Sequence, residues 1–458
     1  MQTNAIQKGL RRAVIIVIWL CLWQFLDNKV NLNILVAGPL DTVQALFGLV
    51  GQAEFWNTIA GSMERIAAGF SLAFFGGLFF GICSFRLLIV REFLAPVVSL
   101  ARSVPVASFI VLALLWIGSE HLSVLISFLI VFPLIYEGVL SGLGQADTAL
   151  LEMCHVFSVG RLCRACTVYW YSLYPCLRTA CRNAIGMAWK AGVAAEVIGV
   201  PAHSLGEKLY YAKLYLDTGE LFAWTLVIMG VSALTEMALE GCLWAVNQMM
   251  RCFPGSEKSR IPSGKTDLML SGVSKKYGDR WILRQFSAVI PYGTVAVIMG
   301  ESGVGKTTLL RLIAGLEQPE EGSIQNGKND VSMAFQEDRL LEPLTAWQNC
   351  RVSAAFGEKG RKPLQIQSIL KEILPEQCQR QPVSQFSGGM RRRVAIARAM
   401  LASSDVVLLD EPFSGLDEEN RRKTMDFIRK YRMGRTVLFT THRMEDFREM
   451  KAEQILKL

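Results

Sequence analysis

Apolar residues fill the first half of the chain in long runs, at 13–25, 57–83, 93–117, 121–141, 173–198 and 221–248, separated by shorter polar stretches. A run of about 20 apolar residues crosses a bilayer as a helix, and the pattern predicts about six spans. Near residue 265 the pattern changes. Short apolar strands, "TVAVIMG" (294–300), "DVVLLDEP" (405–412) and "TVLFTTH" (436–442), each end at a polar loop, and helical segments such as "LLRLIAGL" alternate with them. That alternation predicts an α/β domain with parallel strands. Between the halves, "RCFPGSEKSRIPSGKTD" (251–267) is rich in Pro, Gly and Ser and reads as a linker. The expected organisation is a membrane domain over 1–250, a linker over 251–265 and a soluble domain over 266–458.

Composition agrees with this division. A chain of 458 residues exceeds one compact core, and 51% hydrophobic with 19% charged residues lies between a soluble enzyme and a pure membrane protein. The net charge of +8 comes without any aromatic-basic groove pattern, so the cations are assigned to membrane topology and no nucleic-acid partner is expected. Lys8, Arg11 and Arg12, then Arg86 and Arg91, then Arg161, Arg164 and Arg178, then Arg251 fall on alternate loops, which places both termini in the cytosol. No small-residue cleavage site follows the run at 13–25, so it is expected to remain as the first span.

The eleven cysteines form no disulfide framework. Cys163 and Cys166, in "CRAC", have CxxC spacing but no second pair at zinc-ribbon distance, and they read as small residues on a membrane-proximal helix. Glu64, Arg65, Lys190 and Glu196 are costly in hydrocarbon and are expected to face the bundle interior or an aqueous pathway. For Glu64 and Arg65, near a span end, a structural contact and a functional role stay equally open. Between the fourth and fifth runs, "GQADTALLEMCHVFSVGRLCRACTVYWYSLYP" mixes short apolar pairs with basic residues. This is the pattern of a helix laid against a protein surface.

The chemistry lies in the second half. "GESGVGKTT" (300–308) stands between a buried strand and a helix, as a phosphate-cradling loop requires. Backbone N–H groups of 301–306, in the loop that carries Gly300, Ser302, Gly303 and Gly305, would wrap the phosphates of a nucleotide. Lys306 would reach their outer oxygens, Thr307 would hold Mg2+, and Thr308 belongs with them to the nucleotide-binding set. Asp410 and Glu411 end a second strand, where one acid would hold Mg2+ through water and the other would polarise the attacking water. His442 ends a third strand. Parallel strands deliver their C-terminal ends to one crevice, so it is placed to contact the γ-phosphate.

These motifs, with Gln336 in "MAFQEDRLL", Ser387-Gly388-Gly389 in "FSGGM" and "SGLD" at 414–417, resemble in order and content the ATP-binding subunit of an ABC transporter. The resemblance covers residues 266–445. It implies that Tyr277 stacks on adenine, that Gln336 senses Mg2+ and water, and that Asp417 couples two ATP sites. It also implies that Ser387, Gly388 and Gly389 close over ATP held by a second copy. The run Arg391-Arg392-Arg393 then reads as a solvated or subunit-facing surface. The first half resembles the permeases of sulfonate, nitrate and taurine importers through "SMERIAAGFSLAFFGG", "SVPVASFIVLALLWIG" and "GMAWKAGVAAEVIG".

In that family a cytoplasmic coupling loop enters a groove of the ATPase. Glu152 matches the loop's acid, while Met153, Cys154 and Ser158 stand where alanines and a glycine are usual. The interval from Lys306 to Gln336 is short for the family, and an antiparallel edge and any C-terminal regulatory region look trimmed. The resemblance thus implies an α-helical six-span permease fused to an α/β P-loop ATPase, in a cytoplasmic membrane with the ATPase in the cytosol. It would work as a homodimer with an extracytoplasmic substrate-binding protein, importing a sulfonate, taurine or nitrate-like anion, or a vitamin or pyrimidine precursor. A non-transport ABC membrane machine, for lipoprotein release or signalling, is the alternative.

Overall fold

The computed structural model describes residues 2–30, 37–103, 105–251, 266–325, 330–353 and 363–458, so the expected linker lies outside the described residues apart from Arg251. The chain separates into two compact units, Met1–Gln145 with Leu173–Asn247, and Ala146–Ser172 with Gln248–Leu458. The stretch read from the sequence as a surface-lying helix folds with the second unit. Its helices are embedded in the run α1 (Gln2–Val30), α2 (Pro39–Val50), α3 (Ala53–Arg86), α4 (Leu88–Ser103), α5 (Val106–Ile117), α6 (Leu122–Gly144), α7 (Thr148–Val156), α8 (Arg161–Arg164), α9 (Trp170–Gly199), α10 (Leu205–Leu214) and α11 (Thr218–Arg251).

In the first unit, α3 packs on α6 through small residues spaced four apart. A Cβ added at Gly77 would stand 2.9 Å from Ile135 Cβ, and one at Gly81 would stand 2.8 Å from Val139 Cγ1. Lipid tails are as apolar as leucine, so close backbone approach, not hydrophobic transfer, is what joins such helices. The outward faces are apolar: Leu72, Phe75 and Phe79 on α3 and Met229, Leu234 and Met237 on α11 are exposed. Surfaces of this kind are stable only against hydrocarbon or another apolar partner.

Among the described residues, three helices are long and apolar enough to cross a membrane, Ala53–Arg86, Leu122–Gly144 and Thr218–Met250, or four if α4 and α5 count as one broken span. By length and composition, the described residues thus supply three or four of the about six spans expected. The run at 173–198 does form a helix of sufficient length, α9, but it carries Arg178, Arg182, Lys190 and Glu196, which dilute its apolar character.

The polar residues separate into two groups. Glu196 is buried, accepting from Ser62 Oγ at 2.6 Å and from the Gly206 N–H at 3.3 Å, with Arg65 Nη1 at 3.8 Å. Arg65 also reaches Glu120 at 3.1 Å and the Ala202 carbonyl at 2.8 Å. For these two, the contact within the bundle is what the structure contains. Glu64 and Lys190 are exposed on the unit.

The second unit continues with β1 (Leu268–Tyr277), β2 (Arg280–Ile290), β3 (Val295–Met299), α12 (Lys306–Ile313), β4 (Glu321–Gln325), β5 (Val331–Ala334), α13 (Ala346–Ser353), α14 (Pro363–Ile373), α15 (Gly388–Leu401), β6 (Val406–Leu409), α16 (Glu418–Tyr431), β7 (Thr436–Thr441), α17 (Met444–Glu449) and β8 (Gln454–Lys457). A five-stranded sheet runs β5-β6-β7-β3-β8, and all of its pairings are parallel. Its central strands are buried along their whole length, as strands covered on both faces must be, which explains their unbroken apolar runs. The antiparallel layer that looked trimmed in the sequence is present as three strands in the order β2-β1-β4.

Replacing Gly77 by leucine should force α3 away from α6 and destabilise the first unit by about 1–3 kcal/mol. The thermal melt of the detergent-solubilised chain measures this, and an unchanged midpoint would contradict the close packing.

Candidate functional site

Register brings four loops together. β5 pairs with β6 at Ala334 and Leu409, β6 with β7 at Leu409 and Phe439, and β7 with β3 at Thr441 and Met299. The segments that follow these strand ends therefore share one edge of the sheet. They are Phe335–Gln336, Asp410–Glu411, His442 and the loop 300–305. Parallel sheets bind ligands at such an edge.

The loop 300–305 ends at the N-terminus of α12, where free N–H groups and the helix dipole favour an anion. Gly303 and Gly305 have φ of +82° and +112°, which side chains rarely adopt, and a Cβ on Gly305 would lie 2.6 Å from Ile282 Cγ2. Lys306 is buried, and its Nζ donates to the carbonyls of Gly300 at 2.8 Å and Glu301 at 2.7 Å. The ammonium is thus held inside the curl of the loop by acceptors that a stronger phosphate oxygen can replace. Ser302 and Gly303 are exposed on the loop, with Thr307 and Thr308 half-buried in the first turn of the helix.

Asp410 is buried at the end of β6. Its Oδ1 accepts from Thr440 Oγ1 at 2.8 Å, Thr307 lies beside the carboxyl, and Oδ2 is buried without a partner. Burial, only partly offset by Thr440 and Thr307, holds this carboxyl above its ordinary value of 3.8. An orphaned carboxylate oxygen next to a threonine hydroxyl at a phosphate loop fits a hard divalent cation. Among the described residues no group of three or more His, Cys, Asp or Glu forms a metal cage, so such a cation would take its remaining ligands from phosphate and water.

Glu411 follows with φ of +46°, a strained setting for a residue with a side chain. Its N–H donates to Thr440 Oγ1 at 2.7 Å and its carbonyl accepts from Arg392 at 2.7 Å, so both sides of the strained residue are tied. Glu411 and His442 line one cavity of about 230 Å³ with Phe413, Ser414, Thr440 and Arg443. His442 is exposed there, and Arg443 turns to Glu445 at 2.6 Å.

The basic run after Gly389 is not the solvated surface expected from the sequence. Arg392 and Arg393 are buried, and only Arg391 remains partly exposed, 2.9 Å from Glu342. Arg392 Nη1 donates to the carbonyls of Phe335 at 2.5 Å and Gln336 at 3.0 Å, and its Nη2 donates to those of Asp410 at 2.6 Å and Glu411 at 2.7 Å. Arg393 donates to the Ile373 carbonyl at 2.7 Å. Charge density alone pointed outward; carbonyls just past strand ends and at the end of α14 draw these guanidinium groups inward. Thr440 and Arg392 were missed as site residues because their signal lies in partners that no local motif reveals.

Ser387 caps α15 with its side chain exposed, and Gly388 beside it is also exposed. A Cβ on Gly389 would meet Leu416 Cδ2 at 3.3 Å, so this segment abuts the one carrying Asp417. Asp417 caps α16, accepting from the Asn420 N–H at 2.9 Å, and that bond holds its carboxyl below the ordinary value. Among the described residues no hydrogen bond joins Ser387–Gly389 to the loop 300–305 within the chain. Tyr277 has Thr308 beside it and donates its hydroxyl to Glu317 at 2.5 Å. Gln336 follows the end of β5 and is exposed.

The helix α7 belongs to this unit. Asp147 caps it by accepting from Ala149 N–H at 2.8 Å, and Met153 and Cys154 are fully buried in a cluster with Leu309, Leu312, Phe335 and Leu341. Burial pushes the Cys154 thiol up to about 12, which leaves it chemically inert. Ser158 has φ of +51°, so it occupies the backbone setting that favours the glycine usual there. Glu152 faces two cations: Arg311 on α12 at 2.9 and 3.0 Å, and Arg339 beyond Gln336 at 2.6 Å. The hydrogen bond from Arg311, helped by Arg339, keeps the Glu152 carboxyl below the ordinary range despite partial burial. Buried Arg398 donates to the carbonyls of Asp338 at 3.3 Å and Arg339 at 2.8 Å.

Strand order, phosphate loop and paired acids define a P-loop nucleotide-binding domain with a docked accessory helix. The sequence profile of the family described as ABC transporter matches residues 283–414. Over 186 residues the chain is 37% identical to an aliphatic sulfonates import ATP-binding protein of Rhodococcus jostii, covering 39% of this chain and 74% of that protein. It is 36% identical over 207 residues to a sulfate/thiosulfate import ATP-binding protein of Synechocystis sp., covering 41% of this chain. There it spans only 57% of the relative's length. An ATP-binding cassette solved as a dimer with ADP and Pi matches at 28% identity, 42% coverage of this chain, 94% of that chain and a TM-score of 0.38. The chain belongs to the ABC transporter family.

Because the folded state raises the pKa of Asp410, the stability it contributes is full below the ordinary value of 3.8 and is lost as pH rises through the folded value. Nucleotide-free Asp410→Asn should therefore melt above wild type at pH 7, and the gap should close as pH falls toward the ordinary aspartate range. Differential scanning fluorimetry across pH measures it; a less stable variant at pH 7 would reverse the sign of this argument.

Proposed function

We propose that this chain is one half of an ATP-driven importer that works as a homodimer in the cytoplasmic membrane, with residues 1–250 as permease, 251–265 as linker and 266–458 as the cytosolic ATPase. The observation that carries the reading is the helix around Glu152. It is encoded between apolar helices, yet it folds with the nucleotide-binding unit and is held by Arg311 on the phosphate-loop helix and Arg339 beyond Gln336. A nucleotide-driven change at either segment would therefore reach the polypeptide that leads into α9.

In this reading Lys306 leaves the Gly300 and Glu301 carbonyls for the phosphates, and Tyr277 stacks on the base. Asp410 and Thr307, with Gln336, hold Mg2+, which neutralises the phosphate oxygens when bound. Glu411 polarises the attacking water, and His442, across the same cavity, contacts the γ-phosphate. Ser387, Gly388 and Gly389 are exposed at the N-terminus of α15, where they can close over ATP held by a second copy, with Asp417 beside them coupling the two sites.

The relatives' names attach them to sulfate, thiosulfate and sulfonate import. The cargo proposed here is a small solute of that kind, such as a sulfonate, taurine or nitrate, or a vitamin or pyrimidine precursor, delivered by an extracytoplasmic binding protein.

In lipid nanodiscs, Glu411→Gln should lower the ATPase kcat by about 10²-fold or more. Titrating wild type with binding proteins preloaded with sulfonates, nitrate or pyrimidines should give stimulation by one of them. Hydrolysis that ignores every loaded binding protein would move the assignment to a non-transport membrane machine.

A further inference from the structure

The charged groups around α7 extend past the helix they hold. Arg311 spends Nη1 and Nη2 on the two oxygens of Glu152, at 3.0 and 2.9 Å, and its Nε on Glu317 Oε1 at 2.6 Å. The second oxygen of Glu317 accepts from the Tyr277 hydroxyl at 2.5 Å. One guanidinium and one carboxylate thus run without a gap from the docked helix to the aromatic ring beside the phosphate loop. Glu152's other partner, Arg339, lies on the Gln336 side, so the route through Arg311 is the one that leads to Tyr277.

The geometry of a guanidinium decides what such a chain can transmit. Its donors lie in one rigid plane, so a rotation that follows Glu152 also turns Nε and moves Glu317. Tyr277 is 48% exposed, so packing alone does not fix its ring. Its hydroxyl is held by Glu317 with Thr308 beside it, while Lys275 Nζ lies 5.8 Å from the ring centroid and is itself tied to Glu320 and the Gln318 carbonyl. Burial together with the Glu317 contact raises the Tyr277 pKa, so the hydroxyl stays a donor at neutral pH.

We propose that Arg311 and Glu317 are positioning residues that make the setting of the Tyr277 ring, and with it the grip on the nucleotide base, depend on whether Glu152 is seated. The proposal rests on the reading of Tyr277 as the base-stacking residue. By linkage, a base that fixes the ring also favours the seated helix. Lys306 and Thr307 share α12 with Arg311 but hold the Gly300 and Glu301 carbonyls and Asp410, not Glu317 or Tyr277, so the expected effect falls on the base and not on the phosphates.

The test uses the full chain in nanodiscs with Glu411→Gln present throughout, so that nucleotide is not consumed. Binding is measured for ATP and for inorganic tripolyphosphate, which has the phosphates and no base. Glu317→Gln, Arg311→Gln and Glu152→Gln should each weaken ATP about three- to tenfold and leave tripolyphosphate unchanged. Added to Tyr277→Phe, which keeps the ring and removes the hydroxyl, none of them should cost more. Arg311→Lys, which keeps the charge but not the planar fork, should behave like Arg311→Gln, and retained tripolyphosphate binding shows that each variant is folded.

Equal losses for ATP and tripolyphosphate, or undiminished losses in the Tyr277→Phe background, would overturn the link. A different result, wild type binding ATP no better than tripolyphosphate and Tyr277→Ala unchanged, would instead remove Tyr277 as the base-stacking residue.

Discussion

One buried guanidinium holds the nucleotide site together. The two Nη atoms of Arg392 reach the carbonyls of Phe335, Gln336, Asp410 and Glu411, which belong to the loops after β5 and β6. Each of those carbonyls lies past the end of its strand, where the ladder no longer supplies a donor. Burying a cation is costly unless its donors are satisfied, and here four carbonyls and Asp338 at 3.3 Å meet them. The result fixes the distance between the Gln336 segment and the two acids from the side of α15, the same helix that presents Ser387 and Gly388. A movement of α15 is therefore a movement of the site's own floor.

Glu411 shows what this support permits. A glutamate at φ of +46° costs about 1–2 kcal/mol, and it stays there because its N–H is tied to Thr440 and its carbonyl to Arg392. Thr440 in turn donates to Asp410. One hydroxyl and one guanidinium thus orient two adjacent acids differently, Asp410 buried toward Thr307 and Glu411 into the cavity shared with His442. Two carboxyl groups next to each other in sequence acquire two environments, which is the requirement for two roles in one reaction.

Much of this is legible in the sequence. The order of strand, glycine loop, lysine and helix placed Gly300–Thr308, and apolar strands ending in "DEP" and "TTH" placed Asp410, Glu411 and His442, because period and terminus are local properties. What stayed hidden depends on partners distant in sequence. Arg392 and Arg393 sit in a run that looks like a surface patch, and only the carbonyls of other loops make burial favourable. The sequence windows and the folded chain differ most at α9, where Arg178, Arg182, Lys190 and Glu196 lower the apolar character of a helix otherwise long enough to span. Glu196 finds Ser62 and the Gly206 N–H, contacts that no hydropathy pattern encodes.

The docked helix combines two kinds of interaction with different duties. Met153, Cys154 and Val156 are buried, and each large apolar side chain so placed contributes about 1.5–3 kcal/mol, which is enough to keep a short helix on the surface of the unit. The ion pairs of Glu152 are partly exposed, with Arg311 at 22% and Glu152 at 34%, and pairs of that kind contribute about 0–1 kcal/mol. Apolar burial therefore sets how firmly α7 is held, and the charges set how it is turned. A joint built this way can rotate without detaching, because the weak directional contacts give before the strong undirected ones. Arg311 stands on the helix that follows the phosphate loop and Arg339 beyond Gln336, so in the proposed importer a turn of α7 would be felt at both segments.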